Sequence, residues 1–406
     1  MAELGWRVRS LAWILAHAPG ASVASMTPEQ MLRAQKRLAG HGRLTAGVTG
    51  RVAKGVGTRN RVISQDGETV PVRIYRADDD PGNAPVIVHF HGGGWTLGAL
   101  DQSDWLCSQV CLGVGAVVVS VDYRLAPTHR FPTAVLDSVA AVNWVAAHAD
   151  ELAVDPTRIG VMGDSAGGNL AAVVSQLVRD RGGPLISHQA LMYPATDLRT
   201  PEDFDPSSPA RADWPILSSA SMVSFRDHYL GADGDATDPM ASPILAGDLS
   251  GLPPALIQVA EYDPLRDDGI RYARALQAAG TPARLTEYVG MPHGYFSFPK
   301  VIRGSIMQAL AELCAEQRYA LHGAGAPDRA APQPPAHRAR TPAAAPVPHP
   351  AAGSTAAPRP AAAVSTAAGS AAAAAEPAES AAASGWAAGS VPGPATAGTS
   401  PPRRRP

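Results

Sequence analysis

Between residues 58 and 321, short runs rich in β-branched and aromatic residues alternate with longer stretches in which apolar residues recur every three or four positions. A strand sends successive side chains to opposite faces and a helix turns every ~3.6 residues, so each change of period marks a change of element. Eight runs read as strands: Arg61–Ser64, Val70–Arg76, Pro85–Phe90, Ala116–Tyr123, Arg158–Met162, Ser187–Met192, Ala255–Ala260 and Ala283–Tyr288. Helical spacing falls between them over about 103–112, 132–149, 166–180, 267–279 and 302–320, where Ile306, Leu310, Leu313 and Ala320 share a face. Val86-Ile87-Val88 and Ala116-Val117-Val118-Val119 show no polar alternation, which suits central strands covered on both sides. The alternation predicts an α/β fold with an eight-stranded, mostly parallel sheet and helices on both faces. Residues 196–230 interrupt it with Pro, Asp and Ser, then close on a short helical pattern through Met222, Phe225 and Tyr229. That insertion and the N-terminal residues 1–50 are expected to form a helical cap over one end of the sheet.

Composition trims the chain to a globular part. From about residue 322 the sequence is mostly Ala, Pro, Ser, Gly and Thr, with Val347, Val364, Trp386 and Val391 as its only large apolar or aromatic side chains. Such a stretch buries too little apolar surface to offset its ordering entropy, so 322–406 reads as a disordered tail and 51–321 as the catalytic domain. Formal net charge is −2, and because the tail carries seven Arg against three acids the body is mildly acidic, unlike a nucleic-acid binder. The closing Arg403-Arg404-Arg405 reads as solvated charge. Three cysteines, an odd number, argue against a disulfide framework; Cys107 and Cys111, four apart on a helix, lack further ligands at metal spacing, so no metal is expected. Arg7, Arg9 and the run Leu11–Ala16 imitate a secretory signal, but the run is at the short limit. An amphipathic helix continued after Thr27-Pro28-Glu29 by Met31, Leu32 and Leu38 is the preferred reading. A cytoplasmic location follows, with secretion or envelope association as the alternative. No run reaches the ~18 apolar residues of a transmembrane segment, and a homodimer is compatible with the sequence.

The chemistry concentrates in two glycine-rich segments. In Gly163-Asp164-Ser165-Ala166-Gly167 a strand runs into a G-x-S-x-G turn and on into the helical pattern Leu170, Ala171, Val174, Leu177 and Val178. A nucleophile elbow needs small neighbours, because its strained turn packs against adjacent backbone while holding the serine oxygen clear. The five-residue pattern alone is weak in a chain so rich in Gly and Ser; its place between strand and helix gives it weight. The second segment, His91-Gly92-Gly93-Gly94-Trp95, follows the buried strand Pro85–Phe90. Acyl transfer puts negative charge on the carbonyl oxygen, and unobstructed backbone N–H groups can stabilise it by about 3–4 kcal/mol for a single donor. Gly93, Gly94 and Ala166 are the predicted donors.

A serine hydroxyl needs a histidine to take its proton and a carboxylate to hold that histidine. On this kind of sheet the order along the chain is Ser, then Asp or Glu, then His. Asp263 follows the strand Ala255–Ala260 and His293 follows Ala283–Tyr288, one strand-helix-strand unit apart. Glu261 is the alternative carboxylate. Asp267 and Asp268 suit the start of a helix, while His228 precedes both carboxylates and His322 stands at the edge of the tail.

Taken together, these segments resemble the hormone-sensitive-lipase-like family of α/β-hydrolases, the bacterial family IV esterases. The resemblance rests on His91-Gly92-Gly93-Gly94-Trp95, Val121-Asp122-Tyr123-Arg124-Leu125-Ala126-Pro127, Gly163-Asp164-Ser165-Ala166-Gly167-Gly168-Asn169, Tyr262-Asp263-Pro264-Leu265-Arg266-Asp267 and His293-Gly294, in family order over about residues 60–320. It implies an α/β-hydrolase fold with Ser165 as nucleophile, Asp263 as orienting acid, His293 as general base, and Gly93, Gly94 and Ala166 as oxyanion hole. It gives His91, Gly92 and Asp164 supporting roles, and implies a small ester substrate with short to medium acyl chains and no cofactor. Thr128 stands where relatives usually carry Glu, and Tyr295 where Phe is usual. Amidase, lactonase or small-metabolite deacetylase chemistry would use the same residues. A non-catalytic binding protein of this fold would be expected to have lost His293.

Overall fold

The unbroken apolar run Val86-Ile87-Val88 lies in strand β3 (Ala84–Phe90), every residue of which is buried. The computed structural model describes Ser10, Trp13 and residues 23–39, 47–199 and 216–323. The chain divides into two units, Met1–Ala345 and Pro346–Pro406, and every described residue belongs to the first. The tail beyond Gly323, the middle of the 196–230 insertion and most of the segment before Val23 lie outside the described residues.

Eight strands form one sheet: β1 (Val56–Gln65), β2 (Glu68–Ala77), β3, β4 (Val117–Val121), β5 (Val154–Asp164), β6 (Ile186–Met192), β7 (Ala255–Tyr262) and β8 (Ala283–Pro292), in the order β1-β2-β4-β3-β5-β6-β7-β8. β1 and β2 are an antiparallel hairpin turned by Asp66 and Gly67, both with positive φ as a two-residue hairpin loop requires. β2 also runs antiparallel to β4, and the remaining neighbours are parallel. The predicted α/β architecture, sheet size and strand sense are those observed.

Both faces of the sheet are covered, which explains the missing polar alternation. Val86, Val88 and Phe90 face one apolar core with Val117, Val119 and Val121, whereas Ile87 and Val118 face the other. Among the described residues the helices of seven residues or more are α1 (Pro28–Ala39), α2 (Asp104–Val110), α3 (Thr133–Ala147), α4 (Ala166–Asp180), α5 (Ser219–Leu230), α6 (Arg266–Ala278) and α7 (Arg303–His322). Residues of α3, α4 and α6 fill the first core; those of α2 and α7 fill the second. β4 stops two residues short of its predicted end. Tyr123 instead leaves the sheet, stacks on His91 and donates its hydroxyl to the His91 carbonyl at 2.7 Å.

The predicted continuation of the N-terminal helix after Thr27-Pro28-Glu29 is α1, while its expected first part around Leu11–Ala16 lies outside the described residues apart from Trp13; the start of α1 is legible in Thr27-Pro28-Glu29-Gln30. Thr27 Oγ1 accepts from the Gln30 N–H at 3.3 Å and Gln30 Oε1 accepts from the Thr27 N–H at 2.8 Å, a reciprocal capping box with Pro at the first helical position. The segment around it reaches α5: Ser224 Oγ donates to the Val23 carbonyl and His228 Nε2 to that of Met26, both at 2.9 Å. Among the described residues no helix is long and apolar enough to cross a membrane.

Candidate active site

β5 ends at Asp164 and α4 begins at Ala166, leaving Ser165 alone at the junction with φ 57° and ψ −119°. A side chain other than Gly in that region is strained and persists only where its surroundings fix it. The fixing groups are close. The Ser165 N–H donates to the Met192 carbonyl at the end of β6 at 2.9 Å. Gly163 passes so near the Gly167 backbone, and Gly167 so near the Phe90 carbonyl of β3, that a Cβ on either would collide with main chain. Glycine at both positions is therefore a packing requirement of the turn.

The loops after β7 and β8 bring Asp263 and His293 to the same end of the sheet. A carboxylate can only accept, so the His293 Nδ1 proton points at Asp263 Oδ2, 2.8 Å away, and Nε2 is left to accept from the Ser165 hydroxyl at 2.9 Å. Asp263 is fully buried, and its second oxygen accepts the Leu265 N–H at 2.8 Å, so the carboxylate cannot swing away. The Tyr193 ring packs edge-on to His293 with centroids 5.1 Å apart. Of the rival residues, Glu261 turns to the Gly290 N–H, Asp267 pairs with Arg266, and His322 donates to the Val114 carbonyl. His228, on α5, bonds the Met26 carbonyl.

The glycine loop stands opposite Ser165. Asp164 Oδ1 accepts the Gly92 N–H at 3.1 Å, tying the loop to the turn that carries the serine. The buried His91 donates Nδ1–H to the Gly92 carbonyl at 2.9 Å, and burial lowers its pKa. Gln102 holds the same carbonyl at 3.2 Å. Gly93 (φ 129°) and Gly94 (φ 60°) then adopt conformations that suit glycine. The N–H groups of Gly93, Gly94 and Ala166 donate to no other group among the described residues. The residues predicted from sequence are thus gathered in one place, with His91, Gly92 and Asp164 bracing the loop.

A cavity of about 440 Å³ opens over Ser165 and His293. Its walls are mainly apolar: Leu97, Leu265 and Phe298 from the body, and Leu217, Met222 and Phe225 from α5 and the turn before it. One flank carries charge that sequence reasoning missed. Asp197 lines the cavity and pairs with Arg199 (2.9 Å) and Arg271 (2.8 Å), and Arg271 also holds Asp268 at 2.8 Å. Asp268 accepts the Thr196 and Asp197 N–H groups, and burial raises its carboxyl to about 7. From sequence Asp268 reads as an ordinary helix-start carboxylate. Thr128 is exposed and Tyr295 is buried beside Tyr193.

Known proteins carry the same frame. A family model for the α/β-hydrolase fold matches residues 87–297. The carboxylesterase NlhH of Mycobacterium tuberculosis is 46% identical over 268 residues, which is 64% of this chain and 82% of the relative. The ethyl acetate hydrolase of Pseudomonas putida is 37% identical over 244 residues, covering 59% of this chain and 76% of the relative. Among solved structures, a thermostable esterase from Pseudomonas putida superimposes with a TM-score of 0.70 at 33% identity, covering 78% of this chain and 98% of that one. The family match spans the strand before the glycine loop through to the residues just past His293. The chain therefore belongs to the α/β-hydrolase family, in its hormone-sensitive-lipase-like branch, and is an enzyme of the carboxylesterase type.

Proposed function

We propose that the protein hydrolyses small carboxylic esters of short to medium acyl chain through an acyl-enzyme on Ser165. The observation that carries this reading is the hydrogen-bonded series Ser165 Oγ, His293 Nε2, His293 Nδ1 and Asp263 Oδ2, with steps of 2.9 and 2.8 Å, at the base of an apolar cavity. Oγ attacks the ester carbonyl as its proton passes to His293 Nε2, and the carbonyl oxygen takes the negative charge facing the Gly93, Gly94 and Ala166 N–H groups. Collapse of the tetrahedral species expels the alcohol, which takes the proton from His293. Water then gives its proton to His293, attacks the acyl carbon, and releases the acid with Ser165 restored. Asp263 keeps the ring in the required tautomer throughout.

The surrounding organisation follows from the same reading. Residues 51–321 are assigned as the catalytic body, and the described residues 23–39 and 216–230 as part of a cap whose α5 face supplies cavity wall. The apolar lining suits an acyl chain better than a polar or charged one. The test is a profile of p-nitrophenyl esters from acetate to palmitate with a matched anilide, in wild type and Ser165→Ala. The expected outcome is highest kcat/KM below about ten acyl carbons, slow anilide cleavage, and a fall in kcat of several orders of magnitude in the variant. Preference for palmitate, or an anilide cleaved as fast as its ester, would overturn the substrate class.

A further inference from the structure

Trp95 sits in a backbone conformation that bulky residues avoid. Its φ is 57°, and it follows Gly94 at φ 60°, so the chain makes two left-handed residues in succession next to Gly93. A bulky residue held this way costs on the order of 1–3 kcal/mol and persists only where its surroundings over-determine it. Some restraint comes from the loop itself, since the Gly93 carbonyl accepts from Thr96 and Leu97 and the Trp95 carbonyl accepts the Ala126 N–H at 3.0 Å. The rest comes from the cap.

One face of α5 covers the turn. The Phe225 ring lies so close over Gly94 that a Cβ there would fall within it. One helical turn later, the buried Tyr229 stacks on the Trp95 indole with centroids 4.5 Å apart and planes 7° from parallel, and Phe131 closes edge-on against Tyr229 at 5.7 Å. Residues four apart share a helix face, so the two contacts are made by a single rigid element. Neither the Trp95 indole N–H nor the Tyr229 hydroxyl has a hydrogen-bond partner among the described residues, so ring-face contact is what joins them. From the other side, Gln35 Nε2 of α1 donates to the carbonyls of Thr96 and Ala126, each at 2.7 Å.

We propose that Phe225 and Tyr229 are positioning residues for ester hydrolysis: by pressing on Gly94 and Trp95 they hold the turn that aims the Gly93 and Gly94 N–H groups. The inference rests on the reading of those groups as the oxyanion donors. It gives α5 a part in the rate of the chemical step as well as in the shape of the cavity. A residue that is only cavity wall contributes binding common to ground and transition states and shows in KM. One that aims oxyanion donors shows in kcat, even for a substrate too small to touch it.

The experiment measures p-nitrophenyl acetate and octanoate hydrolysis by Phe225→Ala, Tyr229→Leu, Tyr229→Phe and Ser165→Ala, with the melting temperature of each. It adds the affinity of each for a small trifluoromethyl ketone, whose carbonyl carbon accepts Ser165 Oγ while its oxygen becomes the bound oxyanion. Loss of one well-placed donor costs about 100- to 1000-fold in kcat, so partial misplacement in Phe225→Ala is expected to lower kcat about tenfold or more on both esters. KM for acetate stays within about threefold, and ketone affinity falls with kcat. Tyr229→Leu behaves alike, whereas Tyr229→Phe, which keeps the stack, retains wild-type kcat. Wild-type kcat on acetate together with wild-type ketone affinity in Phe225→Ala overturns the proposal, and that variant decides alone if Tyr229→Leu does not fold. An active Ser165→Ala would instead overturn the underlying site reading.

Discussion

Asp263 commits both of its oxygens, one to His293 and one to the Leu265 N–H, and is sealed from water. Asp263→Asn keeps that shape but places an amide donor or a neutral carbonyl against Nδ1. The imidazole then loses the charge that stabilises its protonated form and is free to take the wrong tautomer. We expect kcat to fall by about 10⁴ with the melting temperature changed little; a decrease of less than tenfold would move the orienting role elsewhere. At this scale the sequence was readable where chemistry constrains order: serine, acid and histidine at the ends of successive strands admit few choices. Glu261 and Asp263 both sit at the end of one strand, and it is the register with β8 that sends Glu261 to the Gly290 N–H and leaves Asp263 to His293. The Asp197, Arg199, Arg271 and Asp268 cluster was hidden for a similar reason. Its members come from segments about seventy residues apart, and no local pattern marks them as partners.

The junction of β5 and α4 is an element-scale device. The first turn of α4 can lie against the end of β3 only because Gly167 presents no side chain to the Phe90 carbonyl. Gly167→Ala adds one methyl group that has no direction in which to relax, since the obstacle is backbone. We expect melting about 4–6 °C lower, as a strained core substitution of 2–3 kcal/mol in a domain of this size implies, and esterase activity lost with it. A variant with wild-type melting and activity would show that the helix can shift. Strands and helices were legible here because period and burial agree, as in β3 and β4. Boundaries were less so: Tyr123 continues the β pattern of β4 but leaves the sheet to stack on His91, a contact that a run of apolar residues does not announce. α5 was visible only as the stripe Met222, Phe225 and Tyr229, whose spacing shows a face without showing what it faces.

Whole-molecule stability should carry the mark of His188, buried in β6. Burial pushes its pKa down to about 4 from an ordinary value of 6.5. Between those values the unfolded chain takes up a proton that the folded chain does not, so stability is retained above pH 6.5 and lost as pH falls toward 4, by up to about 3 kcal/mol. Urea unfolding followed from pH 7 to pH 4 should show a flatter decline in His188→Leu than in wild type. Parallel declines would mean that other groups govern the acid limb. At this scale the architecture was the most legible part of the molecule, because strand-helix alternation with buried central strands leaves few folds to choose from. The central claim, that Ser165 forms the covalent acyl intermediate, is tested most directly by treating the protein with a p-nitrophenyl alkylphosphonate and mapping the adduct by peptide mass spectrometry. One equivalent is expected to bind, on the peptide containing Ser165, with turnover lost in proportion; inactivation with the adduct on another residue, or full modification of Ser165 with turnover intact, would contradict an acyl-enzyme on Ser165.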